Sequence, residues 1–466
     1  MRAIHLQSRA TVWMARVALL TSMLFLMSLS GCGGGGGDGD SAVAPAPVPT
    51  TVSTPPFYPG NTDIPVSGPD VPGIAAFDTG VKAVMKRYNV PGIGLAVTKD
   101  GKLVVARGYG YQDFEARQLM RADTMSRVGS ISKFITALAI MRLRDQGQID
   151  LDQTFLSILT DYQVGAGGDA RLRDITIRML LQHSGGWDKA LADDFVNRQF
   201  LVARALGVAT PPTCPDIIRY AMTQPLQFTP GTQIAYSNTG FCILGQVVAK
   251  LSGQTYESFV RNQILARADV HAMSIAMPHL SQRGPLEAKY YAYDGSSLVD
   301  SLFAGEGKVP MTYAADPMTS EGAAGWIGSA VDLTRVMTAF EGCRVSNLIS
   351  ADSKALMLAN PHLPDAPLAE DVTADPSRWL GLGIVAGPTA ETYAHGGLTP
   401  ASQAALHRRP TGHTFAMVTN MRADRSAEFY NDLVIAVGVA IDALPVDPAT
   451  DLYPQYPSMS LPARNP

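Results

Sequence analysis

The chain lacks most of the short signals that mark an enzyme class. It has no Gly-x-Ser-x-Gly nucleophile elbow, no HExxH metal motif and no phosphate-binding loop. Gly39-Asp40-Ser41 lies in low-complexity sequence and is not a lipase motif. Only four cysteines occur in 466 residues, and their wide spacing matches no zinc pattern, so neither a metal nor another cofactor is expected. The formal charge of −4 is mild and no basic block interrupts it, which argues against a nucleic-acid partner. No internal repeat stands out. The one long apolar run, residues 17–29, is too short to span a bilayer comfortably.

That run is nonetheless informative. Arg2, Arg9 and Arg16 precede it and Ser30-Gly31-Cys32 ends it, the layout of a signal peptide over residues 1–31. Leu29-Ser30-Gly31-Cys32 resembles a bacterial lipobox, which implies that Cys32 becomes the lipidated first residue. Residues 32–72 are a Gly run followed by Ala, Pro, Val and Thr, with little that could bury a core; they read as a tether. The expectation is a protein of the bacterial cell envelope, exported and held to a membrane by an N-terminal lipid. An oxidising compartment permits one disulfide. Cys214 and Cys242 flank the segment around Tyr236 and are the expected pair, leaving Cys343 as a buried free thiol.

The chemistry-bearing signal is Ser130-Ile131-Ser132-Lys133, where a loop ending in Gly129 enters a helix. Residues three apart share a helix face, so a Ser in the first turn points its hydroxyl toward the Lys one turn later. A serine hydroxyl is a weak nucleophile until a base takes its proton. The unpaired N–H groups of a helix start can also bind a developing negative charge. On spacing alone, ordinary residue usage yields roughly two chance Ser-x-x-Lys matches in a chain this long, and a capping Ser with an exposed Lys explains most of them. Here there is a single match, followed in order by Tyr236-Ser237-Asn238 and His395-Gly396-Gly397.

Periodicity gives the framework. A helix is expected over 77–88, a hairpin of strands 93–97 and 103–109 around Asp100-Gly101, and the Ser130 helix up to Gln146 and Gly147. Residues 150–345 read as helical and loop-rich, with helices over 240–251 and 332–340. Short β-type runs return at 380–385, 391–395, 404–407 and 414–419, before a closing helix over 427–444. Strands at both ends predict an α+β fold: one antiparallel sheet built from the two termini and flanked by helices, with a mainly helical insertion. The domain is expected over 73–446, with an irregular tail over 447–466. Asp193-Asp194 reads as solvated surface, His183 as a helix-end element, and Trp187 and Trp326 either as pocket lining or as packing.

In this order, the three motifs resemble those of serine β-lactamases and penicillin-binding-protein-like hydrolases. The resemblance covers residues 73–444 and is nearest to the group holding AmpC-like enzymes, D-stereospecific DD-peptidases and aminopeptidases, and carboxylesterases. Arg127-Val128-Gly129, Leu181-Gln182-His183-Ser184-Gly185, Pro230-Gly231 and Gly322-Ala323-Ala324-Gly325-Trp326 support it. It implies that Ser130 becomes acylated, that Tyr236 shuttles the proton with Lys133 as electrostatic partner, and that Asn238 binds a substrate amide. It also implies an oxyanion site at the N–H groups of Ser130 and Leu398, with Gly396 and Gly397 letting substrate approach the strand. Which of Lys133 and Tyr236 is the base stays open at this point. His395 stands where many members carry the Lys of Lys-Thr-Gly, and no Lys-Thr-Gly occurs in the chain. A neutral His attracts a carboxylate less than Lys does. The expected enzyme is therefore a serine hydrolase of esters or amides of small molecules or peptides, rather than an efficient β-lactamase. The alternative is a non-turnover envelope protein that binds peptidoglycan-like ligands.

Overall fold

A computed structural model describes residues 57–58, 62–293, 298–344, 348–364, 377–389, 391–445 and 449–459. The expected signal peptide, Cys32 and most of the expected tether lie outside these residues. In chain order, the elements that frame the site are β1 (Val66–Ser67), α1 (Ile74–Tyr88), β2 (Gly92–Lys99), β3 (Lys102–Asp113), β4 (Ser126–Arg127) and α2 (Ile131–Asp145). Next come α3 (Ile177–Leu181), α4 (Lys189–Ala192), α5 (Cys214–Ala221), α6 (Asn238–Ser252), α7 (Glu321–Ala324), β5 (Trp326–Gly328) and α8 (Ala330–Glu341). The C-terminal set is β6 (Trp379–Leu380), β7 (Val385–Ala386), β8 (Tyr393–Thr399), β9 (Ser402–Arg408), β10 (His413–Thr419) and α9 (Ser426–Asp442).

The main sheet runs β1-β3-β2-β10-β9-β8-β7-β6, antiparallel throughout. The two termini thus meet at the β2–β10 pairing, where Leu95 faces Met417 and Val97 faces Phe415. Because successive side chains alternate in direction, one sheet serves two cores. Ile93, Leu95 and Val97 pack with Phe77, Val81 and Met85 of α1 and Phe429, Leu433 and Val437 of α9. Ala96, Leu406, Ala416 and Val418 pack on the other side with Ile131, Phe134, Leu138 and the helical insertion. The fold is the expected α+β one, and the sheet order shows why distant segments reach one place.

Four expectations need correction. The tether does not reach residue 72 as loose chain: Phe57, Tyr58 and Ile64 are buried, Phe57 lies edge-on to Phe114 and Tyr291, and β1 extends the sheet. The tail also packs, with Leu452, Tyr453 and Tyr456 in the core and Arg335 donating to the Tyr456 carbonyl at 2.7 Å. Their aromatic residues gain enough burial to order segments that composition alone marks as irregular. Cys214 and Cys242 do form the disulfide, but Cys343 is exposed. α8 ends at Glu341, and Gly342, with φ 83°, turns the chain out to the surface. Asp194, the fourth, belongs to the site.

Candidate active site

Ser130 sits at the N-cap position of α2, yet its side chain makes no capping hydrogen bond. The hydroxyl is used elsewhere: Lys133 Nζ lies 3.2 Å from Ser130 Oγ. Lys133 is fully buried and also donates to Asn238 Oδ1 at 2.7 Å and to the Ala323 carbonyl at 2.9 Å. The last two partners can only accept. An ammonium satisfies all three contacts as donor; a neutral amine keeps the two acceptors and takes the Ser130 proton on its lone pair. The geometry accommodates both protonation states, as a relay requires.

Ser130 is held in place from outside its helix. β4 pairs with β5, and the Val128 N–H donates to the Trp326 carbonyl at 3.0 Å. The Ser402 hydroxyl donates to the Arg127 carbonyl at 2.7 Å, which ties the turn to the strand hairpin. Gly129 then adopts φ 53°, a region open to glycine at no steric cost. A Cβ there would stand 2.6 Å from the Leu398 nitrogen, and one on Gly397 would stand 1.9 Å from the Val128 carbonyl oxygen and 3.3 Å from the Ser130 nitrogen. The missing side chains let β8 lie directly against residues 128–130. Leu398 and Ser130 thereby bring their backbone N–H groups into one neighbourhood. β7 pairs with β8 only at Tyr393 and Ala394, so among the described residues the edge of 395–399 facing this turn carries no strand.

Tyr236 and Asn238 come from the turn entering α6. Lys133 Nζ lies 4.7 Å from the centre of the Tyr236 ring. His183, at the end of α3, stacks on that ring at 4.3 Å and 19°, and its Nδ1 accepts from the Ser237 N–H at 3.0 Å. The expected helix-end residue thus backs the phenol directly. Asp194 corrects the reading of a solvated pair. Asp193 is exposed, but Asp194 is buried and its carboxylate accepts from the Asn238 N–H at 2.5 Å, the Thr239 N–H at 3.3 Å, the Thr239 hydroxyl at 2.9 Å and the Ser237 hydroxyl at 3.2 Å. A carboxylate at a helix start satisfies donors that the helix itself cannot. Neither its identity nor its spacing marked Asp194 in the sequence; only the fold brings it to α6. Lys189, the first residue of α4, is a second cation near the phenol, with Nζ 5.0 Å from the ring centre. It too carried no sequence signal. Trp187 and Trp326 are buried in the core, and Trp326 Nε1 donates to the Tyr256 hydroxyl at 3.0 Å.

His395 lies on β8, buried, with Nδ1 2.6 Å from the Gly396 carbonyl. That contact requires a proton on Nδ1 and leaves Nε2 as an acceptor, with no hydrogen-bond partner among the described residues. Burial pushes its pKa down to about 4; the Gly396 contact opposes this and the Lys133 charge adds to it. His183 is also held neutral, first by burial and then by the electrostatic influence of Lys133, with His395 and Lys189 resisting a further positive charge beside them. The site therefore combines a buried hydroxyl, two lysines, a phenol and two neutral imidazoles. Among the described residues no cluster of His, Cys, Asp and Glu could hold a metal.

This combination, a serine hydroxyl and a buried lysine on a helix start beside an antiparallel sheet, is a candidate serine-nucleophile site. The family described as Beta-lactamase matches residues 77–439, and the chain belongs to that family. Protein flp of Staphylococcus aureus (strain COL) is 24% identical over 224 residues, covering 48% of this chain and 42% of that protein. The chain thus spans less than half the length of the curated relatives it matches first. Among solved structures, a D-stereospecific amidohydrolase from Streptomyces sp. aligns with TM-score 0.57 and 23% identity, covering 79% of this chain and 98% of that one. EstCE1, a hydrolase with promiscuous acyltransferase activity, aligns with TM-score 0.59 and 19% identity, covering 78% and 98%. These likenesses show a β-lactamase and penicillin-binding-protein-like fold.

Proposed function

We propose that the protein is an exported, lipid-anchored serine hydrolase that forms an acyl-enzyme on Ser130 and cleaves an ester or amide. The observation that carries this reading is Lys133 Nζ, shared between Ser130 Oγ and Asn238 Oδ1 beside the Tyr236 ring. Ser130 Oγ attacks the acyl carbon while its proton passes to the Tyr236–Lys133 pair. The tetrahedral oxyanion rests on the N–H groups of Ser130 and Leu398. Tyr236 returns the proton to the leaving oxygen or nitrogen, and the Asn238 amide orients the substrate. Water then attacks the acyl-enzyme by the same route in reverse and releases the acid.

Substrate preference follows from His395. A buried neutral imidazole on the strand offers a substrate carboxylate little attraction, so β-lactams, which carry one, are poor substrates. Carboxylesterase, D-aminopeptidase or DD-peptidase activity fits better, and the likenesses to the D-stereospecific amidohydrolase and to the hydrolase EstCE1 support that ordering. The lipid anchor rests on the sequence from Arg2 to Cys32. No helix among the described residues is long and apolar enough to cross a membrane.

The test is a fluorophosphonate probe, with the adduct mapped by mass spectrometry, followed by kcat/KM for a short-chain nitrophenyl ester, nitrocefin and a D-Ala-D-Ala peptide. Labelling of Ser130, its loss in Ser130→Ala, and preference for the ester or peptide over nitrocefin are expected. Labelling that persists in Ser130→Ala overturns the assignment. A product burst without turnover on every substrate would favour the non-turnover binding protein.

A further inference from the structure

Tyr236 poses a problem that the proposed reaction leaves unsolved. A phenol ordinarily titrates near 10, so at neutral pH it is an acid and not a base. To take a proton from Ser130 its ionised form must be stabilised by the groups around it. Its surroundings come from several elements. Lys133 of α2 stands 4.7 Å from the ring centre. Lys189 of α4 stands 5.0 Å from it. His183 after α3 is stacked on the ring, and His395 of β8 couples electrostatically to both Lys133 and His183. Asp194 reaches the following residues, 237–239, through hydrogen bonds. Ile234, Leu380, Val385 and Leu363 complete the apolar surroundings.

Counted by charge, this shell holds two cations, two neutral rings and one carboxylate. The two imidazoles contribute no positive charge, because both are buried and kept neutral. Asp194 acts against a phenolate, although its oxygens are occupied by α6 donors. Lys133 is committed to Ser130, Asn238 and Ala323. Lys189 differs from it: half-buried, its ammonium makes no hydrogen bond or ion pair among the described residues, and it faces the Tyr236 ring and acts electrostatically on His183. The position on β8 that could have supplied a second ammonium is His395. The second cation comes instead from α4, on the opposite side of the sequence motif.

We propose that Lys189 is an electrostatic positioning residue that, with Lys133, holds Tyr236 as the phenolate which accepts the Ser130 proton. The balance is simple. The Ser130 O–H bond breaks and a Tyr236 O–H bond forms as Ser130 Oγ bonds to the acyl carbon. The same proton then leaves Tyr236 for the departing oxygen or nitrogen as its bond to the acyl carbon breaks. The inference rests on the serine-hydrolase reading but is tested apart from it.

The experiment follows the rate of Ser130 labelling by a fluorophosphonate against pH, which needs no knowledge of the natural substrate. Wild type, Lys189→Met and Lys189→Arg are compared. Removing the charge destabilises the phenolate, so the rise in rate moves to higher pH in Lys189→Met by about one unit, and labelling at neutral pH slows about tenfold. At alkaline pH the variant recovers the wild-type rate, and Lys189→Arg keeps the wild-type profile. An unmoved profile in Lys189→Met overturns the proposal, whether or not the rate falls uniformly. A loss confined to carboxylate-bearing esters with the profile unmoved also overturns it and makes Lys189 a substrate-recognition residue. Failure of wild type to label sinks the hydrolase reading alone. The ultraviolet tyrosinate difference between each protein and its Tyr236→Phe counterpart then decides the matter: an upward shift in Lys189→Met supports the proposal and no shift refutes it.

Discussion

The buried Asp194 carboxylate accepts a 2.5 Å hydrogen bond from the Asn238 N–H, so an acidic residue 44 positions upstream fixes the start of the helix whose Asn238 amide holds Lys133. The same carboxylate holds Ser237 and Thr239. Charge-assisted hydrogen bonds of this kind contribute roughly 1.5–3 kcal/mol each, and losing a cap costs ~1 kcal/mol. Asp194→Ala is expected to lower stability by about 2–4 kcal/mol in urea unfolding. It should also slow Ser130 labelling, because Asn238 would no longer hold Lys133. Unchanged stability would show that the carboxylate is idle.

Lys133 makes a second prediction. A positioned proton relay contributes about 10²–10⁴ in rate, and Lys133 is the cation that sustains it. Lys133→Met should therefore cut fluorophosphonate labelling by roughly 10³ while keeping the fold, since Met fills similar volume without a charge to bury. Circular dichroism checks the fold and the labelling rate checks the role. Retention of near wild-type labelling would remove Lys133 from the relay.

Three imidazoles predict acid lability. His183, His395 and His407 are all held below the ordinary value by burial, His395 at about 4 and His407 at about 3. In the unfolded chain each binds a proton near pH 6.5. Between that pH and the folded value the unfolded state takes up more protons, so stability is complete above about 6.5 and falls as pH drops through 6 and 5. His395 alone accounts for about 2 kcal/mol of that fall by pH 5. Urea midpoints measured from pH 7.5 to 5 should decline, and His395→Gln should flatten the slope. A midpoint independent of pH across this window would show that the rings are not held neutral.

The Cys214–Cys242 bridge joins α5 to α6 across a separation of 28 residues. Closing a loop of that size restricts the unfolded chain by about 3–4 kcal/mol on the chain-entropy model. Reductant should lower Tm measurably. Denatured protein spanning residues 33–466 should titrate one thiol without reductant and three with it, the single one being the exposed Cys343. Equal counts in both conditions would exclude the bridge.

The residues proposed for catalysis were more legible than those packed around them, for a physical reason. Ser130, Lys133, Tyr236 and Asn238 are side chains of the few types suited to acyl transfer, and their local spacing is fixed by helix and turn geometry. The sheet was legible where alternation was strong: 93–97 became Gly92–Lys99, and 414–419 became His413–Thr419. It was less so at 391–395, which runs on to Thr399 through Gly396 and Gly397. Glycines weaken a strand pattern, and nothing local reveals that the neighbour at 128–130 requires them. The run 380–385 proved to be two short strands around Gly381 and Gly383. Asp194 and Lys189 left no trace because their roles exist only across elements: an aspartate caps a helix that begins 44 residues later, and a lysine faces a ring 47 residues on.

Gly397 gives the last prediction and the sharpest. Its place on β8 is set by a contact no other residue can make, since a Cβ would lie 1.9 Å from the Val128 carbonyl oxygen. In Gly397→Ala the strand must move away from residues 128–130 or the turn carrying Ser130 must move. Either motion separates the Leu398 N–H from the Ser130 N–H. If these two groups form the oxyanion site, losing their joint geometry should cost about 10²–10³ in kcat, the effect of removing one such donor. Lys133 and Ser130 remain on α2, so their hydrogen bond survives. The expected phenotype is therefore a protein that folds and still ionises its nucleophile but acylates slowly, with kcat falling far more than KM rises. A Gly397→Ala variant with unchanged kcat would mean that β8 can retreat without consequence, and that the oxyanion is held elsewhere.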